Sequence, residues 1–303
     1  MEKKKNGLWL YLILVFILSW GFCFGVIYPA VNRGGNYANY AIGLMFFPAL
    51  SVALTRLITK EGFQNCLLRP RFKGHIRYYL LAWLGPGLLV ILGAALYFLL
   101  FPAKLDWSAP IVREQMAAVG VPYEAQALPM STILAIQAVP SLLLAGIANF
   151  LPALGEEWGW RGYLYPRLTE RFGRRKAALL GGLIWGLWHA PVIALGHNYG
   201  LDYPGHPWAG IAAMCVFCIA FGSLLMWLTS VTGSCLPAAL AHGAINGAAS
   251  LGILVCADSG NPFVGPLPTG VIGGAPILIA AAIIFFRFAQ TERRGEGAFE
   301  NRP

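Results

Sequence analysis

Apolar runs almost free of charged residues recur along the chain at about 8–30, 39–59, 78–102, 131–153, 177–196, 208–229, 235–256 and 269–288. About 20 helical residues, rising 1.5 Å each, cross the roughly 30 Å hydrocarbon core of a bilayer, so each run predicts a spanning helix. Barrel strands alternate apolar and polar positions over about 10 residues. These runs are instead continuously apolar and rich in Leu, Ala, Gly and Trp. The pattern predicts an all-α, polytopic transmembrane helical bundle of about eight spans.

Composition agrees. Hydrophobic residues make up 57% and charged residues 12% of 303 positions, with a mean hydropathy of +0.62, which excludes an ordinary soluble domain. Lys and Arg in short loops stay cytoplasmic. Lys3, Lys4 and Lys5 precede the first run, and Lys60, Arg69, Arg71, Lys73 and Arg77 follow the second. Arg161, Arg167, Arg171, Arg174, Arg175 and Lys176 follow the fourth, and Arg287, Arg293, Arg294 and Arg302 lie in the tail. Eight spans with N- and C-termini both cytoplasmic fit this distribution. The net charge of +9 is then a topology signal and a contact for anionic lipid rather than a nucleic-acid surface.

No polar linker or repeat divides the chain, so residues 1–303 read as a single transmembrane domain. The loop at about 103–130, with Trp107, Pro110, Pro122 and Tyr123, suits a partly ordered interfacial cap. The six cysteines are scattered and mostly lie inside the runs, and Cys215 and Cys218 sit mid-run where packing is the expected role.

Polar residues concentrate between about 150 and 250. Ionisable groups at membrane depth cost roughly 2.5–3.5 kcal/mol each, so their presence points to function. Glu157 and Arg161 are four apart, spaced for an ion pair on one helical face. Glu156 lies about 100° around that helix, has no basic residue three or four positions on, and is free for another task. The helix is expected to continue past the acids and to keep both under protein cover. His189 sits in an apolar helix one turn after Trp185, roughly 18 Å along if that helix enters near Ala177. His242 and Asn246 share a face among small residues and can both donate to a developing oxyanion. Taken singly, the acidic pair with Arg161 could mark a solvated helix end, and His189, His242 and Asn246 could be interhelical glue; together they suggest hydrolysis. No H-E-x-x-H zinc motif or G-x-S-x-G elbow is present, and Asp106, Asp202 and Asp258 all fall in expected outer loops. Glutamate and histidine must carry any catalysis.

At these residues the chain resembles the CPBP intramembrane proteases, the family of Rce1-type CAAX-processing endopeptidases and bacteriocin-processing or immunity (Abi) proteins. E-E-x-x-x-R matches Glu156-Glu157-Trp-Gly-Trp-Arg161, F-x-x-x-H matches Trp185 to His189, and H-x-x-x-N matches His242 to Asn246. Trp185 replaces the usual phenylalanine, a change expected to alter packing beside His189 more than chemistry. The catalytic region expected from the resemblance is about 131–256.

The resemblance implies an endopeptidase hydrolysing membrane-associated or prenylated peptides inside the membrane. Glu156 would activate water with help from His189, His242 and Asn246 would form the oxyanion site, and Glu157, Arg161 and Trp185 would support them. The family has also been regarded as metal-dependent. If a divalent metal such as zinc binds, Glu156, His189 and His242 are the ligand types available, although the favoured reading requires no cofactor. Expected partners are membrane lipid and a peptide or membrane-anchored protein, with no nucleic acid. The expected location is the cell membrane, with the site opening to the cytoplasm. A non-catalytic immunity or scaffold protein and a proton-coupled transporter remain the alternatives.

Overall fold

A helix occupies each of the eight predicted runs. The computed structural model describes residues 2–293, with side chains from Gly7 onward except at 291 and 293. Lys3, Lys4, Lys5 and Arg293 therefore have no described side chains, and Arg294 and Arg302 lie outside the described residues. The helices are α1 (Glu2–Phe22), α2 (Tyr28–Asn32), α3 (Ala38–Leu44), α4 (Phe47–Thr59) and α5 (Ile76–Leu100). Then come α6 (Pro110–Ala118), α7 (Met130–Leu143), α8 (Ala145–Ala148), α9 (Phe150–Gly159) and α10 (Tyr165–Phe172). The remainder are α11 (Arg174–Trp188), α12 (Ala190–Ile193), α13 (Trp208–Thr232), α14 (Leu236–Ala248) and α15 (Ala275–Arg293). Among the described residues there are only isolated bridges, at Leu105 with Cys256 and Asn261 with Gly265, and no strand.

Five segments are long and apolar enough to cross a membrane: Gly7–Asn32, Ala38–Thr59, Ile76–Leu100, Trp208–Thr232 and Leu236–Val255. The chain is an integral membrane protein. Met130–Leu143 and Ala275–Gln290 are shorter apolar helices, and the fourth and fifth predicted runs are broken rather than single. The fourth splits into α7, α8 and α9, with Pro140 inside α7 and the first break after Leu143. Carbonyls at the break find side-chain donors: the Trp83 indole donates to the Leu143 oxygen at 2.8 Å, and the Asn149 amide to the Ala145 oxygen at 3.1 Å. The fifth run breaks at His189 because Pro191 has no N–H to continue the ladder.

The polarity of the bundle is inverted relative to a soluble protein. Leu80, Leu84, Leu88 and Ile91 of α5 face outward, whereas Ala82, Pro86, Val90 and Ala94 face inward. Arg56, Glu156, Glu157 and Arg161 are all buried. Helix α13 packs on α11 and α15, α14 packs on α5, α8 and α9, and α4 packs on α1 and α9. The α11/α13 seam requires glycine: a Cβ at Gly182 would lie 2.4 Å from the Ile219 Cα, and one at Gly186 2.5 Å from the Cys215 Cα. Small residues at such a seam let membrane helices approach backbone to backbone. Cys215 is thus a packing residue, and all six cysteines are free and buried.

Two ends of the bundle are defined by contacts between loops. At one end Arg167 of α10 pairs with Glu61 of the segment after α4, and Arg175 pairs with Glu292 of α15 at 2.9 Å. The segments after the second and fourth runs and the end of α15 therefore share an end. At the other end α6 packs a small apolar cluster of Ala109, Val112, Met130, Ile133 and Leu134, so the cap expected at 103–130 is ordered. There the Lys104 ammonium donates to Asp258 and holds that carboxyl below its ordinary range. Arg161 is a correction: counted from the sequence as a loop charge, it has no exposed surface and lies inside the bundle.

Candidate active site

Helix α9 carries both acids, and the chain stays helical beyond them, as the sequence led us to expect. A π turn at Trp160–Leu164 joins α9 to α10. Such bulges insert one residue into the ladder and frequently accompany functional sites. Here the Trp160 N–H is shared between the Glu156 and Glu157 carbonyls. The acids are covered: Glu156 retains 2% exposure and Glu157 none.

Glu157 is tied on one oxygen. Its Oε1 accepts from the Arg161 guanidinium at 2.8 Å and meets the His242 Nδ1 at 2.8 Å. A carboxylate can only accept, so His242 donates from Nδ1, leaving Nε2 for another partner. The Arg161 guanidinium lies between two rings, 4.2 Å from Trp185 and 4.8 Å from Tyr165, a cation–π arrangement suited to a charge shielded from water. The expected Glu157–Arg161 pair is present, and it extends to α14 through His242.

Glu156 is not free, contrary to the expectation from spacing to basic residues. Its Oε2 accepts from the Trp185 indole N–H at 2.8 Å and from the Trp160 indole N–H at 3.2 Å. Its donors are aromatic instead of basic, which a search for lysine and arginine passes over. The Trp160 contact was legible as an i,i+4 pair; the Trp185 contact spans 29 residues and required the fold.

His189 caps α11, with its Nδ1 directed at the Trp185 carbonyl at 2.8 Å. A carbonyl also only accepts, so the proton sits on Nδ1 and Nε2 carries the free lone pair. The break that presents His189 is braced from the first span: the Trp20 indole donates to the Trp188 oxygen at 3.2 Å and the Tyr28 hydroxyl to the Pro191 oxygen at 2.9 Å. The His189 ring lies parallel to that of His197, centroids 6.0 Å apart, and His197 meets Tyr37 edge-on. His197 had no sequence signal, being a lone histidine in a loop.

Trp185 is the hub. Its indole N–H reaches Glu156, its carbonyl reaches His189, and its ring lies 5.3 Å from the His242 ring and 4.2 Å from the Arg161 cation. Glu156, Glu157, Arg161, Trp185, His189 and His242 thus form one cluster drawn from α9, the π turn, α11 and α14. Asn246 stands apart: one turn beyond His242, it is exposed and makes none of the described side-chain hydrogen bonds.

The sequence had offered Glu156, His189 and His242 as ligand types for a metal. Their oriented atoms are otherwise engaged, Oε2 with two indoles and both Nδ1 atoms with acceptors. Among the described residues no three His, Cys, Asp or Glu side chains are grouped so as to hold a metal ion. The donors these bonds leave over are Oε1 of Glu156 and the Nε2 atoms of His189 and His242.

Residues 135–248, which hold the whole cluster, match the protein-family model described as type II CAAX prenyl endopeptidase Rce1-like. A protein of Methanococcus maripaludis named CAAX prenyl protease 2 is 33% identical over 91 residues. That alignment covers 30% of this chain and 32% of the relative, so the chain is matched over about a third of the relative's length. The match falls on the segment where the buried acids and histidines converge, and that segment is similar to the Rce1-like CAAX prenyl endopeptidases.

Proposed function

We propose that the chain is an intramembrane endopeptidase that hydrolyses peptide bonds of membrane-associated or prenylated substrates, using water activated by Glu156. One observation carries this reading: a carboxylate and two imidazoles, each with one atom held by a hydrogen bond and another left over, converge on a single tryptophan inside a membrane bundle. The matched family and the relative's name supply the substrate class.

Glu156 takes a proton from water through Oε1, the oxygen that the indoles leave open. The water oxygen then attacks the scissile carbonyl carbon. His189 stands beside Trp185 with a free Nε2 lone pair, suited to hold and orient that water or to receive its proton. As the carbonyl oxygen gains charge, His242 donates from Nε2 while Nδ1–H remains on Glu157, the carboxylate stabilising the doubly protonated ring. Asn246, unbound and one turn on, supplies the second donor. Collapse of the tetrahedral species breaks the C–N bond, and the proton held by Glu156 passes to the leaving amine. Arg161 balances the charge of Glu157 and keeps it from competing as the base. A dry surround strengthens each of these bonds. The basic end of the bundle is the cytoplasmic end in this reading, and the catalytic region spans about 131–256 of a single domain.

The test is cleavage of a farnesylated CAAX peptide by protein purified in detergent, with wild type, Glu156→Ala and His189→Ala compared with and without a chelator. Wild type is expected to cut in both conditions, and each variant to lose at least about 100-fold, the usual worth of an acid–base group. Chelator-sensitive cleavage would overturn the metal-free mechanism. Undiminished cleavage by Glu156→Ala would overturn the base assignment, and no cleavage by wild type would overturn the substrate class.

A further inference from the structure

Both tryptophans that reach Glu156 choose the same oxygen. Trp160 approaches from one turn along its own helix at 3.2 Å, and Trp185 from α11 at 2.8 Å. Indole N–H groups only donate, so the two lone pairs of Oε2 are filled and Oε1 is the oxygen left for chemistry. Both indoles are buried, Trp160 with no exposed surface and Trp185 with 2%, so water does not compete for these bonds. Position 185 is where the CPBP motif that this segment resembles usually carries phenylalanine. A phenyl ring would reproduce the packing on His242 and Arg161 but would give Glu156 no donor.

We infer that Trp185 is a positioning residue, and that its indole N–H, with that of Trp160, fixes the Glu156 carboxylate so that Oε1 faces the reacting water. This inference rests on the endopeptidase reading above and deepens it. The same residue also orients His189, but through its backbone carbonyl. A side-chain substitution therefore separates the two functions: Trp185→Phe removes the hydrogen bond to Glu156 and leaves the carbonyl that holds His189. One tryptophan thus sets the spacing between base and histidine, by two bonds pointing to opposite partners.

The kinetic test compares wild type, Trp185→Phe, Trp160→Phe and the double variant on the farnesylated CAAX peptide, each checked for an unchanged melting temperature. Trp185→Phe is expected to lower kcat roughly 10- to 100-fold, the rate equivalent of one hydrogen bond to a charged group, with KM within about twofold. Trp160→Phe, with the longer bond, should lose less, and the double variant more than either. An unchanged kcat in Trp185→Phe, or an equal rise in KM, overturns the inference.

A second measurement does not depend on turnover. In protein labelled with 15N-tryptophan, the indole resonance that vanishes in Trp185→Phe should lie downfield and move upfield in Glu156→Gln, where a neutral amide oxygen replaces the carboxylate. A resonance unmoved by Glu156→Gln overturns the inference even if the enzyme cleaves. A wild type that does not cleave overturns the endopeptidase reading and the kinetic half of this inference, while the indole resonance still decides whether Trp185 holds Glu156.

Discussion

Glu157 serves two partners on one oxygen and has no exposed surface, so its loss strands a buried guanidinium as well as freeing His242. Breaking a buried ion pair by removing one partner costs about 3–5 kcal/mol. Glu157→Ala is therefore expected to lower the melting temperature in detergent sharply, and by more than Glu156→Ala, which strands two buried indole donors but no opposite charge. Equal melting of the two variants would contradict the division between a structural and a reactive acid. Asn246 gives the complementary case. Exposed and without a side-chain hydrogen bond, it contributes nothing to stability, so Asn246→Ala should keep its melting temperature and lose about 100-fold in kcat. A stability loss without a kcat loss would remove it from the site. The pairing of Glu157 with Arg161 was legible from spacing alone because i,i+4 geometry is local. The Trp185 indole on Glu156 was not, because it crosses from α11, and neither was the tie of Glu157 to His242, 85 residues away.

At the scale of elements, the breaks position the chemistry. The fourth run breaks after Leu143, at the end of α7, and Pro191 stops α11 so that His189 sits at its cap. Hydropathy averages over such breaks, which is why both runs read as unbroken spans. What holds α11 in place is the glycine seam with α13. A side chain at Gly182 would enter the α13 backbone, and overpacking of this kind costs typically 1–3 kcal/mol. Gly182→Leu should therefore lower both melting temperature and activity, while Leu183→Ala, at a position 41% exposed on the same helix, should change neither by more than a little. Tolerance of Gly182→Leu at full stability would contradict the close approach. The seam was foreseeable in kind, since small residues mark membrane interfaces, but its partner helix was not.

Across the whole molecule, outward leucines and inward charges define a bundle whose solvent is lipid, and hydropathy alone conveyed that much. Loop charge further indicated which segments share an end, and the Glu61–Arg167 and Arg175–Glu292 pairs join those segments. Hydropathy could not show how three interior segments meet at one tryptophan, a property of packing rather than of any run. The central claim is that Glu156, so held, is the base that activates water. Glu156→Gln tests it most directly because the amide keeps the size of the side chain and an oxygen for the indoles, but cannot accept the proton. Purified wild type and Glu156→Gln would be compared for cleavage of a farnesylated CAAX peptide, with fragments read by mass spectrometry. The account expects fragments from wild type and a loss of about 100- to 10,000-fold in the variant at unchanged melting temperature. Cleavage by Glu156→Gln at the wild-type rate would contradict it.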